Sequence, residues 1–254
     1  MSTEKGVGVV AAASERPRAR SGIRRRWVIS RRRQGGDTAV VLHHRDHAPR
    51  GPLLDVLTAR GFEPVHVRVQ RGEPLPNLAS VRLAVLIGSD RSTEHAESCA
   101  DLELDWLHRL EATNAAVLAL GSGAQTLATA LGGEVQRLRR PRRGWVCVTT
   151  AEPQLISPGP WLAWQDAVIR LPPRAELLAH DRVGPQAFRV GRHLGVQFHP
   201  EVTPEIVGEW IASSHEVLDV QGIMEATGRD FRFASEAARR MFSAFFASVR
   251  DERR

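Results

Sequence analysis

Two short segments bring together side chains able to do chemistry: Leu118-Ala119-Leu120-Gly121-Ser122-Gly123-Ala124-Gln125 and Gly195-Val196-Gln197-Phe198-His199-Pro200-Glu201. In the first, a buried apolar run turns sharply through glycines into a helix. That is the geometry of a nucleophile elbow, where one side chain rises at the top of a sheet beside backbone N–H groups. In the second, an imidazole stands two residues before a carboxylate. Positions i and i+2 of an extended segment point the same way, so Glu201 is expected to hold His199 through one hydrogen bond. A third segment, Leu86-Ile87-Gly88-Ser89-Asp90, ends a strand in a loop that can supply an oxyanion donor.

Other reactive side chains are weaker candidates. Ser122 would be the elbow nucleophile, with His199 as its base, if the turn were shifted by one residue. That shift puts Leu120 and Ala124 where a tight turn wants glycines. Cys99 follows a polar run, Thr93 to Ser98, that reads as a loop leading into a helix, and Cys147 in Trp145-Val146-Cys147-Val148 reads as a buried strand residue. His43-His44-Arg45-Asp46-His47 has no spaced carboxylate beside it and reads as a solvated loop, so no metal site is expected. Arg137, Arg139, Arg140, Arg142 and Arg143 form a dense basic loop, suited to an acidic partner or a phosphate-bearing ligand and equally to a plain solvated surface.

The elements that must position these groups alternate strand and helix. Ala39 to Leu42 is a short apolar run, Pro52 to Arg60 carries leucines at helical spacing, and Gly61 stops it. Val65, Val67 and Val69 alternate as a half-exposed strand, while Leu83 to Ile87 and Ala115 to Leu120 are continuous apolar runs, the mark of buried parallel strands. Leu102, Trp106, Leu107 and Leu110 mark one helix face, and Gln125 to Leu131 is a helix closed by Gly132-Gly133. Between Val135 and Pro185 the pattern shortens, which predicts antiparallel additions. Ala187 to Val190 and Leu194 to Phe198 flank a hairpin turn, Thr203 caps a helix, and an amphipathic helix near Ser235 to Val249 comes last. The expected fold is α/β, an open mostly parallel sheet flanked by helices with a small antiparallel addition.

The net charge of +6 is unevenly placed: residues 1–36 carry +8 and the remainder −2. Residues 1–36 are accordingly read as a disordered Arg-rich tail and 37–254 as the folded domain, which is not basic enough to lie on nucleic acid. No apolar stretch follows the arginines as an export signal requires, and none approaches a membrane span. Two cysteines make no disulfide framework, and a cytoplasmic setting is expected.

Taken in order, four segments resemble a class I, triad-type glutamine amidotransferase, most of all its GMP-synthase-like stand-alone glutaminase members. They are Arg71-Gly72-Glu73-Pro74, the strand-elbow-helix ending in Ala130-Leu131-Gly132-Gly133-Glu134, Gln186-Ala187-Phe188-Arg189-Val190-Gly191, and Gln197-Phe198-His199-Pro200-Glu201-Val202-Thr203. The match runs from about Thr38 to Glu209. The resemblance implies that an elbow cysteine would attack a glutamine side-chain amide, with His199 relaying the proton, Glu201 orienting the ring, and ammonia passing to a synthetase partner. It also implies a small amide or amino-acid ligand beside Gly88, Ser122, Gln125, Trp164 and Gln165, with no cofactor.

The family elbow reads Gly-x-Cys-x-Gly-His-Gln. Here Gly123, Gln125 and Gly132-Gly133 align with it so as to put Gly121 at the nucleophile position. The usual Gly-Gly-Pro loop is Gly88-Ser89-Asp90, and Trp-His-Gly-Asp has become Trp164-Gln165-Asp166-Ala167. Without a thiolate or hydroxyl at 121 the covalent step cannot follow the family route. The resemblance thus implies a catalytically inactive, binding or partner-supporting module. The alternative is an active enzyme that uses Ser122, or a partner's chemistry, with His199 and Glu201. His199 is expected to face Gly121 across an empty space.

Overall fold

Consecutive side chains of a strand face opposite ways, and in this chain both ways are apolar. The computed structural model describes residues 37–44, 51–88 and 95–251, without the side chains of 95–100 and 251. Strands β1 (Asp37–His43), β2 (Phe62–Arg68), β3 (Leu83–Ile87) and β4 (Ala116–Leu120) alternate with helices α1 (Pro52–Ala59), α2 (His95–Glu111) and α3 (Ser122–Ala130). Then come β5 (Glu134–Val146), β6 (Thr149–Thr150), β7 (Trp161–Arg170), β8 (Glu176–His180), β9 (Pro185–Val190), β10 (His193–Val196), α4 (Pro204–Ser213) and α5 (Val220–Asp251).

The main sheet has the order β2-β1-β3-β4-β10-β9-β8-β6, with β5 and β7 pairing apart from it. From β2 through β10 the ladders are parallel, whereas β10-β9, β9-β8 and β8-β6 are antiparallel. The expected mostly parallel α/β sheet with antiparallel additions is therefore the observed one. Val41, Val85, Leu118, Leu120 and Val196 face a layer made with α1 and α5, whose Leu53, Leu57, Phe242 and Phe246 are buried there. Val40, Leu42, Ala84, Leu86, Val117 and Ala119 face the opposite layer with Trp106, Leu110, Leu127 and Ala128. Burial on both faces explains why β3 and β4 are continuous apolar runs.

The structure corrects several expectations. Leu102 is 42% exposed, and the buried stripe of α2 runs through Trp106, Leu107 and Leu110 without it. His95 to Ser98, read as loop, already belong to α2, which also contains Cys99; the side chains of these residues lie outside the described ones. The last helix starts at Val220, well ahead of Ser235, because its first half has a narrow buried stripe through Ile223 and Thr227. Cys147 is exposed, lying between β5 and β6. The dense basic segment is not a loop but part of β5. His43 is buried at the end of β1, and His44 joins Glu103 of α2 at 3.0 Å, so this corner is not solvated. Among the described residues no group of three or more His, Cys, Asp or Glu is placed to hold a metal ion, and no helix is long and apolar enough to cross a membrane. The tail 1–36, Arg45-Asp46, His47, Ser89 and Asp90 lie outside the described residues.

Burial lowers the pKa of His193, at the start of β10, and of His66 in β2 from 6.5. A histidine kept neutral by the fold and free to protonate when unfolded contributes stability above 6.5 that is lost as pH falls through the folded value. The slope of unfolding free energy against pH below 6.5 should be shallower in His66→Gln/His193→Gln than in the parent. Chemical denaturation should also find Leu118→Ala less stable by about 2–5 kcal/mol, and Leu102→Ala changed by less than about 0.5 kcal/mol.

Candidate functional site

The site forms where β3, β4 and β10 end side by side. β3 pairs with β4 through Ile87 and Leu120, and β4 pairs with β10 through Leu120 and Val196, so Gly88, Gly121 and the segment after Val196 emerge at one carboxyl edge. Ligand sites of open α/β sheets collect at this edge.

The chain passes from β4 into α3 through Gly121 alone. Its φ of 59° and ψ of −126° lie in a region where a Cβ is strained and glycine is not. The Gly121 N–H donates to Val196 O at 2.9 Å, which ties the turn to the end of β10. Gly88 N–H donates to Leu120 O at 3.2 Å, and Gly88 lies against the first turn of α3. A Cβ there would stand 2.6 Å from Ser122 N and 2.8 Å from Gly123 N, and closer still to Ser122 Oγ. The Ser122 hydroxyl is thus turned toward Gly88.

His199 Nδ1 and Glu201 Oε1 are 2.8 Å apart, with both residues buried. The expected pairing is present, although the segment is a turn and not a continuation of β10. His199 N–H donates to Leu162 O of β7 at 2.9 Å, and the imidazole meets Trp210 of α4 edge to face at 4.7 Å. The ring is therefore held by Glu201 and Trp210, its backbone is pinned by Leu162, and Gly121 lies against it as well. A Cβ at residue 121 would lie 2.9 Å from Nε2, 3.0 Å from Nδ1, and nearer still to Cε1. The expected empty space does not exist. With no side chain at 121, the ring rests on the glycine backbone, and His199 is only 8% exposed. Among the described residues no hydroxyl or thiol is hydrogen-bonded to the His199 ring.

The remaining expected site residues are spread around this centre. Gln125 is buried in α3 with its amide 3.5 Å from Gln197 Oε1, and Gln197 Nε2 donates to Pro185 O. Gln165 Nε2 donates to Gln186 Oε1 at 2.8 Å. These amide groups are engaged in joining α3, β7, β9 and the end of β10. Gln165 Oε1 and Glu201 Oε2 are buried acceptors without a partner among the described residues. Trp164 packs on Trp210 and lies under the Arg143 guanidinium, 5.1 Å from the ring centre. Arg143 Nη2 reaches Asp166 at 2.6 Å and Glu216 at 2.7 Å, binding β5, β7 and the loop before α5. Two members of this wall, Trp210 and Arg143, go unrecognised as such in the sequence. The spacing of Val207 and Trp210 behind the Thr203 cap is the available signal, because it turns both toward the sheet edge.

Any side chain at 121 must overcome both the positive φ and the imidazole. Gly121→Ala should therefore lose about 1–3 kcal/mol of unfolding free energy by denaturant titration. His199→Ala alone removes the ring, so a double-mutant cycle separates the two costs: the double variant should be more stable than the sum of singles predicts, by about 0.5–3 kcal/mol. Strict additivity would mean that the ring does not rest on residue 121.

No family model matches the chain. A 155-residue stretch is 34% identical to a glutamine-hydrolyzing GMP synthase of Aeropyrum pernix, covering 56% of this chain and 28% of that protein. A 95-residue stretch is 34% identical to one subunit of the glutamine-hydrolyzing GMP synthase of Ignicoccus hospitalis, covering 34% of this chain and 50% of that one. The match thus spans a quarter to a half of these curated relatives. Among solved structures, a glutamine amidotransferase of Thermotoga maritima superposes with a TM-score of 0.72 at 20% identity, over 84% of this chain and 99% of that one. By sequence the chain is homologous to a segment of the glutamine-hydrolyzing GMP synthases, and by fold it is glutamine amidotransferase-like.

Proposed function

We propose that this chain is a catalytically inactive glutamine amidotransferase-like module, with Gly121 standing where related enzymes carry their cysteine, and that it serves as a binding or partner-supporting protein. The observation that carries this reading is the seat of the His199 imidazole against Gly121, in the volume a nucleophile's Cβ would need. An amide carbonyl has no atom to attack it there, and it would meet the ring first. Glu201 holds Nδ1, which leaves Nε2 as the only nitrogen able to accept a proton, and no acid is hydrogen-bonded to it among the described residues. General-base catalysis needs such a donor within about 3.2 Å, directly or through one water.

Ser122 does not fill the role. Its hydroxyl is turned over Gly88, and it makes no hydrogen bond to the His199 ring among the described residues. The His199–Glu201 pair has a sufficient structural reason to persist, since leaving either group buried and alone costs about 1–3 kcal/mol. A small amide or amino-acid ligand, as the relatives' names suggest, would enter only if the imidazole swung aside, with Gln165 Oε1 and Glu201 Oε2 as acceptors still open to an N–H donor. A synthetase is the kind of partner suggested by the Ignicoccus hospitalis relative, which is itself one subunit of a GMP synthase.

Ammonia release from glutamine should be undetectable for the native chain, and a glutamine-analogue electrophile should label neither Gly121 nor Ser122. Gly121→Cys should also stay inactive, because its Cβ would collide with the ring that must act as its base. Turnover by the native chain, or an adduct on Ser122, would overturn the proposal in favour of a serine hydrolase.

A further inference from the structure

The arginines of β5 divide into two sets. In the β5–β7 ladder Arg137 is opposite Ala167 and Arg142 is opposite Gln165, so Leu138, Arg139, Arg140 and Pro141 have only Asp166 across from them and leave the ladder. Beside this excursion lies the tight turn from β8 to β9. Asp181 there takes the N–H groups of Val183 and Gly184 and forms an ion pair with Arg142, and Gly184 packs against Val168 of β7.

The acids of the two hairpins are all matched: Asp181 with Arg142, Asp166 with Arg143, Glu134 with Arg170, and Glu176 with Arg189. Arg137, Arg139, Arg140 and Arg182 are exposed and make no ion pair or hydrogen bond among the described residues. Four uncompensated guanidinium groups thus stand on the excursion and on the turn beside it.

We infer that the β5 excursion and the β8–β9 turn form a docking surface for an acidic protein. Leu138, Pro141 and Val183, the last 38% exposed, are interleaved with the arginines. Mixed arginine and apolar surface is the composition of protein interfaces, and the planar guanidinium fork matches carboxylates in pairs. Nucleic acid fits less well, since the basic groups are confined to one strand excursion and one turn, are interrupted by apolar side chains, and form no continuous basic stripe. The chain's own residues 1–36 carry +8 and are repelled from it.

The test compares the full chain with Arg137→Ser/Arg139→Ser/Arg140→Ser/Arg182→Ser, titrated at low ionic strength with labelled poly-glutamate and, separately, with a DNA duplex. Residues 1–36 are present in both proteins and cancel. Poly-glutamate affinity should fall by about tenfold or more in the variant, and added salt should narrow the gap. Arg→Lys at the same positions should retain most of the affinity. Unfolding midpoints should agree, and Arg139→Ser/Arg140→Ser alone provides a milder variant if they do not. Equal poly-glutamate affinity in parent and variant, or no binding by the parent, would overturn the inference. A larger loss for DNA than for poly-glutamate would instead assign the surface to nucleic acid.

Discussion

The seat of the His199 ring on the backbone of Gly121 is the contact on which the rest of the site depends. It requires three independent constraints: a residue that tolerates φ of 59°, a β4–β10 pairing that ends both strands level, and a helix behind the imidazole. Gly121 N–H holds the two strand ends together through Val196 O, Leu162 O fixes the backbone of residue 199, and Trp210 closes the outer face. Interiors are close-packed, so where residue 121 carries no side chain its neighbours take up the space. The imidazole occupies it here and acts as a packing contact.

The same contact gives the His199–Glu201 pair a structural role. In an active triad the carboxylate orients a base toward a nucleophile. In this chain the same hydrogen bond satisfies two buried polar groups at a crowded strand end, and α4 and β7 are built against it. The chain has the fold of glutamine amidotransferases and sequence kinship with part of the GMP synthases, yet the matched segment spans only 28% of one such relative and 50% of another.

Much of this arrangement is legible in the sequence, for identifiable reasons. Leu83 to Ile87 and Ala116 to Leu120 are buried on both faces, so their composition alone marks them as central strands. The two glycines flanking Ser122 mark a turn that a bulkier residue makes only under strain. By contrast, β5 reads as a loop because a two-stranded ribbon with exposed positions places little demand on apolar content, and arginines satisfy it. The reach of α5 back to Val220 is hidden by a first half that buries only occasional residues, and Cys147 misleads because it lies between β5 and β6 and is exposed although Val148 beside it is buried. The position of the His199 ring lies beyond any one-dimensional reading. It depends on a methyl-sized volume at 121 and on Trp210, a residue far along the chain from the elbow.

The most direct measurement of this account is a nuclear Overhauser spectrum of the chain with labelled histidine and glycine. The account predicts a strong cross-peak between His199 Hε1 and a Gly121 Hα, because the Cβ direction of residue 121 points at Cε1. Absence of that cross-peak, with one from His199 Hε1 to the Ser122 Hβ protons in its place, would contradict the account and place a hydroxyl where it has none.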